Sequence, residues 1–262
     1  MNIGETAYWE ERYKVEMAKI LSFELFDWYC PFSAVLPMLQ GIVDSDMQHK
    51  VLVIGIGRSD VIECLYQRGF RDITAIDIST TIIREMQKKY AAFVGVEFFV
   101  MDVKQLLKFS DATFTMVVDK ACIDSLFCGT DFTEALKLAL HEVFRVLRND
   151  GVFLSVSHAS KLSRVPYFRM IRWAIDHYMI PSTVGEHLTL YACTKTTNEE
   201  LINKRVPGAE AVLQSRSSQV VSSSDQTTNK GSTTVNKANA GSITVTASVA
   251  KLAELVSDVA DN

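Results

Sequence analysis

The chain has no Cys-x-x-Cys pair, and its five histidines show no metal-ligand spacing. A zinc site is therefore not expected. The cysteines, Cys30, Cys64, Cys122, Cys128 and Cys193, are odd in number, and several sit in apolar segments. That argues against a disulfide framework and for buried thiols in a reducing compartment. Charge of one sign is also scarce. A formal net charge of -4 over 262 residues argues against a broad surface for nucleic acid or anionic membrane. No apolar run reaches membrane-spanning length. The opening stretch, "MNIGETAYWEERYKVE", has no apolar h-region and does not read as a secretory signal. These absences together predict a cytoplasmic protein.

What is present is ordinary globular material with a regular period. Hydrophobic residues make up 48% and charged residues 22%, enough for a sizeable core. Short apolar runs alternate with helical patterns. "VLVIGI" (51–56), "DITAID" (72–77), "VEFFV" (96–100), "TFTMVVD" (113–119) and "GVFLSVSH" (151–158) read as strands, and "HLTLYACT" (187–194) as a late one. Between them, "SDVIECLYQRGF", "STTIIREMQKKY" and "DFTEALKLALHEVFRVLR" space their apolar residues as helices do. Asp131 and Glu134 outline a capping box for the last of these. The alternation predicts an α/β fold, a doubly wound and mostly parallel sheet with helices on both faces. Beyond about residue 208 the chain turns to Ser, Thr and Asn with no aromatic residue. Burial there cannot offset chain entropy. The expected division is an N-terminal helical segment at 1–48, a domain at 49–207 and a low-complexity, disordered tail at 208–262. Within the tail, "VAKLAELVSDVA" reads equally as a short amphipathic helix or a frayed end.

The first strand ends in Gly-Ile-Gly, but the third glycine of a dinucleotide fingerprint is missing: Asp60 stands three positions after Gly57. Gly55 and Gly57 let the backbone approach a ligand. A pyrophosphate cofactor needs the absent glycine for close helix packing, and Asp60 is expected to bring negative charge against its phosphates. S-adenosylmethionine, an adenosine carrying a cationic sulfonium amino acid, meets neither difficulty. Asp77 ends the second strand, where a carboxylate can accept two ribose hydroxyl hydrogen bonds; that placement alone suits NAD equally. Asp102 follows the third strand, placed for the adenine amino group or as the cap of a helix over "VKQLLKF". Ile78 and Val103 are apolar neighbours for the adenine faces.

With those residues placed, the chain resembles the class I S-adenosylmethionine-dependent methyltransferases. More narrowly, it resembles the methyltransferase-like family that includes the lysine methyltransferases of elongation factor 1-alpha. The likeness spans roughly residues 7–195 and rests on "YWEERY", "FDWY", "VLVIGIG", "AIDIS", "MDV", "VVDKACIDSL" and "FRVLRNDGVFLSVS", in the family's order. The aromatic pair of motifs ahead of the glycine turn is its specific part. The resemblance implies cofactor contacts at Trp9, Tyr13, Trp28, Gly55, Asp77 with Ile78, Asp102 with Val103, and Lys120. It also implies a late antiparallel strand, which "HLTLYACT" can supply. The chain departs from the pattern at "WYCPF", where Cys30 and Pro31 replace Gly and Asp, and at "GIGRS" and "DKACID".

Methyl transfer is an in-line displacement on the sulfonium, and much of its catalysis is positioning. Aromatic faces stabilise a cation by roughly 0.5–2 kcal/mol each, which suits Trp9, Tyr13 and Trp28 as walls. A lysine acceptor must first lose its proton. Asp119 and Asp124, flanking the end of the fourth strand, are the candidate catalytic residues to hold and orient the ammonium. His158 is a candidate for lining the acceptor pocket. The expected activity is transfer of a methyl group to a lysine of a protein partner. A small-molecule acceptor and a catalytically silent binding protein of the same fold stay open as alternatives, and an NAD-dependent oxidoreductase is disfavoured.

Overall fold

The computed structural model describes residues 3–19, 23–43, 48–180 and 188–204. The predicted tail at 208–262 lies outside them. The chain opens with helix α1 (Thr6–Lys19), a 3-10 turn (Phe32–Ala34) and the short α2 (Leu36–Leu39). The alternating unit follows: β1 (Lys50–Ile54), α3 (Val61–Gln67), β2 (Asp72–Asp77), α4 (Thr80–Lys89), β3 (Val96–Val100), β4 (Phe114–Lys120), α5 (Cys122–Leu126), α6 (Phe132–Val146) and β5 (Leu147–Ser157). It ends with α7 (Lys161–Phe168), β6 (Ala174–Ile180), β7 (Leu188–Thr194) and α8 (Glu199–Ile202).

Seven strands form one sheet in the order β3-β2-β1-β4-β5-β7-β6. The first five pair in parallel. β7 runs antiparallel between β5 and β6, so the expected late antiparallel strand is in place. Successive strand residues point to opposite faces, and here both faces are covered. Val51 and Val53 of β1 join a core with α3, α4 and Tyr13 of α1. Leu52 and Ile54 join the opposite core with α5, α6 and α7. A strand buried on both sides reads as a continuous apolar run, which is why "VLVIGI" shows no alternation.

Three local expectations need correction. β6, "AIDHYMI", is a strand that the pattern did not announce. It is an edge strand whose middle, Asp176 to Met179, is partly or fully exposed, so its polar residues break the apolar run. Residues 103–110 form turns rather than a helix, and Asp102 instead closes a local turn by accepting from the Lys104 N–H at 2.9 Å. Asp131 precedes α6 without a side-chain capping bond. α4 does have its cap, with Ser79 Oγ accepting from the Ile82 N–H at 3.3 Å.

Candidate active site

β1 and β4 are central and adjacent, and chain connections leave the sheet in opposite directions on their two sides. A crevice at the C-terminal strand ends is the expected consequence. A cavity lies there. All ten predicted cofactor contacts line it: Trp9, Tyr13, Trp28, Gly55, Gly57, Asp77, Ile78, Asp102, Val103 and Lys120.

The floor is the glycine turn. Gly55 and Gly57 both have left-handed backbones, φ 58° and 50°, which only glycine adopts without strain. Space is as restrictive as conformation. A methyl group on Gly55 would fall 2.5 Å from Cys122 Cβ, and one on Gly57 would fall 2.9 Å from the Tyr13 hydroxyl. The two glycines thus admit α5 on one side and α1 on the other. The turn also grips the acid of β2. The Gly57 N–H donates to Asp77 Oδ2 at 2.9 Å and the Ser79 N–H to Oδ1 at 3.0 Å. Each oxygen keeps a further lone pair for a hydroxyl donor. Burial pushes the Asp77 carboxyl up to about 6, against the opposing backbone N–H bonds.

The roof comes from the N-terminal segment. Trp9 and Trp28 meet edge to face, with centroids 6.3 Å apart, and Trp9 lies 5.9 Å from Tyr13. Arg12 puts its guanidinium 5.2 Å from the Trp28 centroid and 5.8 Å from that of Trp9. An internal cation therefore already uses part of this aromatic surface. Glu10 fastens α1 to the start of α4, accepting from Ser79 Oγ at 2.6 Å and Thr81 Oγ1 at 2.7 Å. Those bonds outweigh its partial desolvation and hold its carboxyl down at about 2. Ahead of α1, residues 3–5 also line the cavity, as does Thr6 at its start. Gly4 packs so tightly on Gly129 that a methyl group there would lie 2.6 Å from Gly129 Cα.

Lys120 lines the cavity, and its ammonium is engaged by the protein itself. Its Nζ lies 2.5 Å from Asp27 Oδ1 and donates to the Trp28 and Cys30 carbonyls at 3.0 and 3.3 Å. The other lining cations are also paired, Arg58 with Glu16 at 3.3 Å and Lys104 with Asp102 at 3.4 Å. The lining thus offers a polyphosphate no unpaired cation. The obstacle to a pyrophosphate lies in these pairings and not in Asp60. That residue is absent from the lining, and its carboxylate accepts from the Phe32 N–H at 2.9 Å, holding the N-terminal segment instead of opposing a ligand.

The two candidate catalytic acids also lie elsewhere than expected. Neither Asp119 nor Asp124 lines the cavity. Asp119 is 1% exposed and accepts from Ser155 Oγ at 2.6 Å and the Ile123 N–H at 3.1 Å. Burial pushes its carboxyl up to about 7. Asp124 is the hub of a buried cluster. It accepts from Arg164 Nη2 at 2.5 Å, from Ser157 Oγ at 2.8 Å and from the Tyr29 hydroxyl at 2.9 Å, with His158 Nδ1 at 3.4 Å. Burial would raise its carboxyl, but Arg164 and His158 hold it below the usual range. With both oxygens engaged by the protein's own donors, Asp124 has little capacity left for a substrate ammonium. Ala121 and Cys122, which stand where "DKACID" departs from the family pattern, are parts of the floor. Ala121 has φ 72°, a left-handed position that costs an L-residue about 1–2 kcal/mol. Burial and the surrounding Asp119 and Asp77 carboxylates push the Cys122 thiol well above its usual range, so it faces the cavity as an inert group.

Residues 52–155 match the family described as "Methyltransferase domain". Those residues are a methyltransferase domain. Among similar proteins, an "eEF1A lysine and N-terminal methyltransferase" of Bos taurus is 30% identical over 192 residues, covering 71% of this chain and 26% of that protein. The chain thus spans about a quarter of the length of that relative. "EEF1A lysine methyltransferase 4" of Mus musculus is 27% identical over 201 residues, with 73% of this chain and 75% of that one covered. A solved structure titled "Conversion of a Disulfide Bond into a Thioacetal Group during Echinomycin Biosynthesis" has a TM-score of 0.54 at 20% identity. It covers 80% of this chain and 98% of its own, and at that identity it supports the fold of the methyltransferase domain alone.

Proposed function

We propose that the protein transfers a methyl group from S-adenosylmethionine to the side-chain amine of a protein lysine, with elongation factor 1-alpha as the first substrate to test. The observation that carries the cofactor reading is Asp77, held at its two oxygens by Gly57 and Ser79 N–H groups inside a cavity whose lining cations are all paired. The donor set fits the group. Asp77 would take the ribose hydroxyls, Ile78, Asp102 and Val103 the adenine, and the Gly55–Gly57 turn the amino-acid part. Trp9, Tyr13 and Trp28 would close the aromatic side. The cofactor, when bound, supplies an electrophilic methyl group on a cationic sulfur. The chain's own residues bind and orient, and the roof excludes water; positioning of this kind accounts for much of the barrier lowering in two-reactant transfers. Of the carboxylates among the described lining residues of the floor, Asp77 is committed to the ribose in this reading and Asp102 is paired with Lys104, so neither is assigned to take a proton from the acceptor. The amine therefore arrives deprotonated through solvent exchange, at about 4 kcal/mol near neutral pH.

The lysine acceptor is supported by the names of the relatives above and by the paired aromatic motifs at Trp9 and Trp28. The five cysteines, all free thiols, support a reducing, cytoplasmic setting. No helix among the described residues is long and apolar enough to cross a membrane. Purified protein incubated with radiolabelled S-adenosylmethionine and purified elongation factor 1-alpha should label the factor on lysine. Label that appears only on small molecules from a cell extract would move the reading to a small-molecule methyltransferase. No transfer in either, with S-adenosylhomocysteine still bound, would leave a silent binding protein.

A further inference from the structure

The chain turns sharply between the cavity and the Asp124 cluster. The Cys30 N–H donates to the Trp28 carbonyl at 2.8 Å, a three-residue γ-turn with Tyr29 at its centre. Tyr29 has φ 70°, the rare and strained hand of that turn. No glycine supplies the conformation, so the surroundings must impose it. Two of them do. Lys120 Nζ grips the carbonyls on either side of Tyr29, those of Trp28 and Cys30. On the far side, the Tyr29 hydroxyl donates to Asp124 Oδ2 at 2.9 Å, and its ring lies 5.0 Å from that of His158. Asp124 is itself fixed by the buried Arg164 guanidinium. Trp28, the residue before the strained centre, lines the cavity.

We infer that Tyr29 is a positioning residue, which holds Trp28 against the cofactor by anchoring a strained turn to the buried Asp124 cluster. The inference rests on the cofactor reading above and adds a residue that does not itself line the cavity. The hydroxyl acts by shifting a population. A left-handed turn at a non-glycine residue persists only while something opposes its relaxation. Without the hydroxyl, the turn and Trp28 spend part of the time elsewhere, and apparent cofactor affinity falls with the competent fraction. Burial and the adjacent Asp124 carboxylate push the Tyr29 phenol well above its usual range, so it remains a donor at every working pH.

Calorimetric titration with S-adenosylhomocysteine, well below the melting temperatures, tests this. The wild type should bind; if it does not, the cofactor reading falls and this inference with it. Tyr29→Phe should bind about tenfold more weakly, because a turn populated about one time in ten loses that factor. Ser157→Ala is the control. It also removes a bond to Asp124 but touches no part of the turn, and Arg164 still holds the carboxylate that Tyr29 donates to, so it should lower the melting temperature and leave affinity unchanged. Tyr29→Gly and Tyr29→Ala form a second pair. Both lose ring and hydroxyl, yet glycine accepts the left-handed backbone freely, so Tyr29→Gly should bind more tightly than Tyr29→Ala. Wild-type binding with Tyr29→Phe within twofold of it, or equal affinities for the Gly and Ala variants, would overturn the inference. So would a Ser157→Ala loss as large as that of Tyr29→Phe.

Discussion

Asp119→Asn should stabilise the protein at alkaline pH and do little for it in acid. The Asp119 carboxyl is fully buried, and its folded value of about 7 stands above the ordinary 3.8. Between those two values the folded protein holds a proton that the unfolded chain has lost. Folding therefore takes up a proton in that window, and stability falls as pH rises through it. Below about pH 4 the penalty is absent; above about pH 7 it is complete. At 1.36 kcal/mol per pH unit the full penalty is about 4 kcal/mol. Asparagine never ionises and removes the whole of it. It keeps an acceptor for the Ile123 N–H, and the Ser155 hydroxyl can turn to accept from the new amide. An imperfect exchange would cost about 1 kcal/mol. The net expectation at pH 8 is about 2–3 kcal/mol of stabilisation, or about 4–12 °C in melting temperature for a domain of this size. Thermal melts of both proteins from pH 4.5 to 8.5 read this directly. Asp77, also raised, is common to both and cancels. Parallel melting curves across the window would refute the reasoning, because a constant offset cannot come from a group that titrates.

Three further outcomes follow from the site. Affinity for S-adenosylhomocysteine should fall about tenfold per pH unit below pH 6, where Asp77 takes up its proton and ceases to accept freely; Asp77→Asn should bind weakly and flatten that profile, and calorimetry at several pH values would show a wrong ribose placement as a profile that Asp77→Asn leaves unchanged. Ala121→Gly should raise the melting temperature by about 2–4 °C, since it removes about 1 kcal/mol of left-handed strain at φ 72°; a fall on a thermal melt would mean that the Ala121 methyl packs more than it strains. Glu10→Gln should speed cofactor release about threefold to tenfold, because charge-assisted bonds to Ser79 and Thr81 fasten α1; a stopped-flow dissociation rate equal to wild type would free α1 of any part in exchange.

The floor of the site was legible in sequence because its parts are local. An apolar run, a Gly-x-Gly and an acid one strand later lie within a single strand-helix-strand unit, and each leaves a mark in composition. Parts made by residues far apart in the chain left none. Asp124 looked free for a substrate because its partners, Tyr29, Ser157 and Arg164, stand 95, 33 and 40 positions away. Asp60 looked like a phosphate repellent because nothing near it announces the Phe32 N–H that it accepts from. The turn at Tyr29 is hidden for another reason. Left-handed backbones are read from glycine or asparagine, and a tyrosine there is held by tertiary contacts alone. β6 was missed because an edge strand need bury only part of itself.

The fastening of the roof also bears on the order of synthesis. The Asp27–Cys30 turn leaves the ribosome early, yet Lys120, which grips the Trp28 carbonyl, follows it by 92 residues, and Asp124 follows Tyr29 by 95. Gly129, on which Gly4 packs, comes later still. That turn must therefore wait for β4 and α5 before Lys120 and Asp124 can hold it, whereas Glu10 finds its partners Ser79 and Thr81 sooner. At about 5–20 residues per second, that wait is on the order of 5–20 seconds. During it the Trp28 part of the roof is available to chaperones.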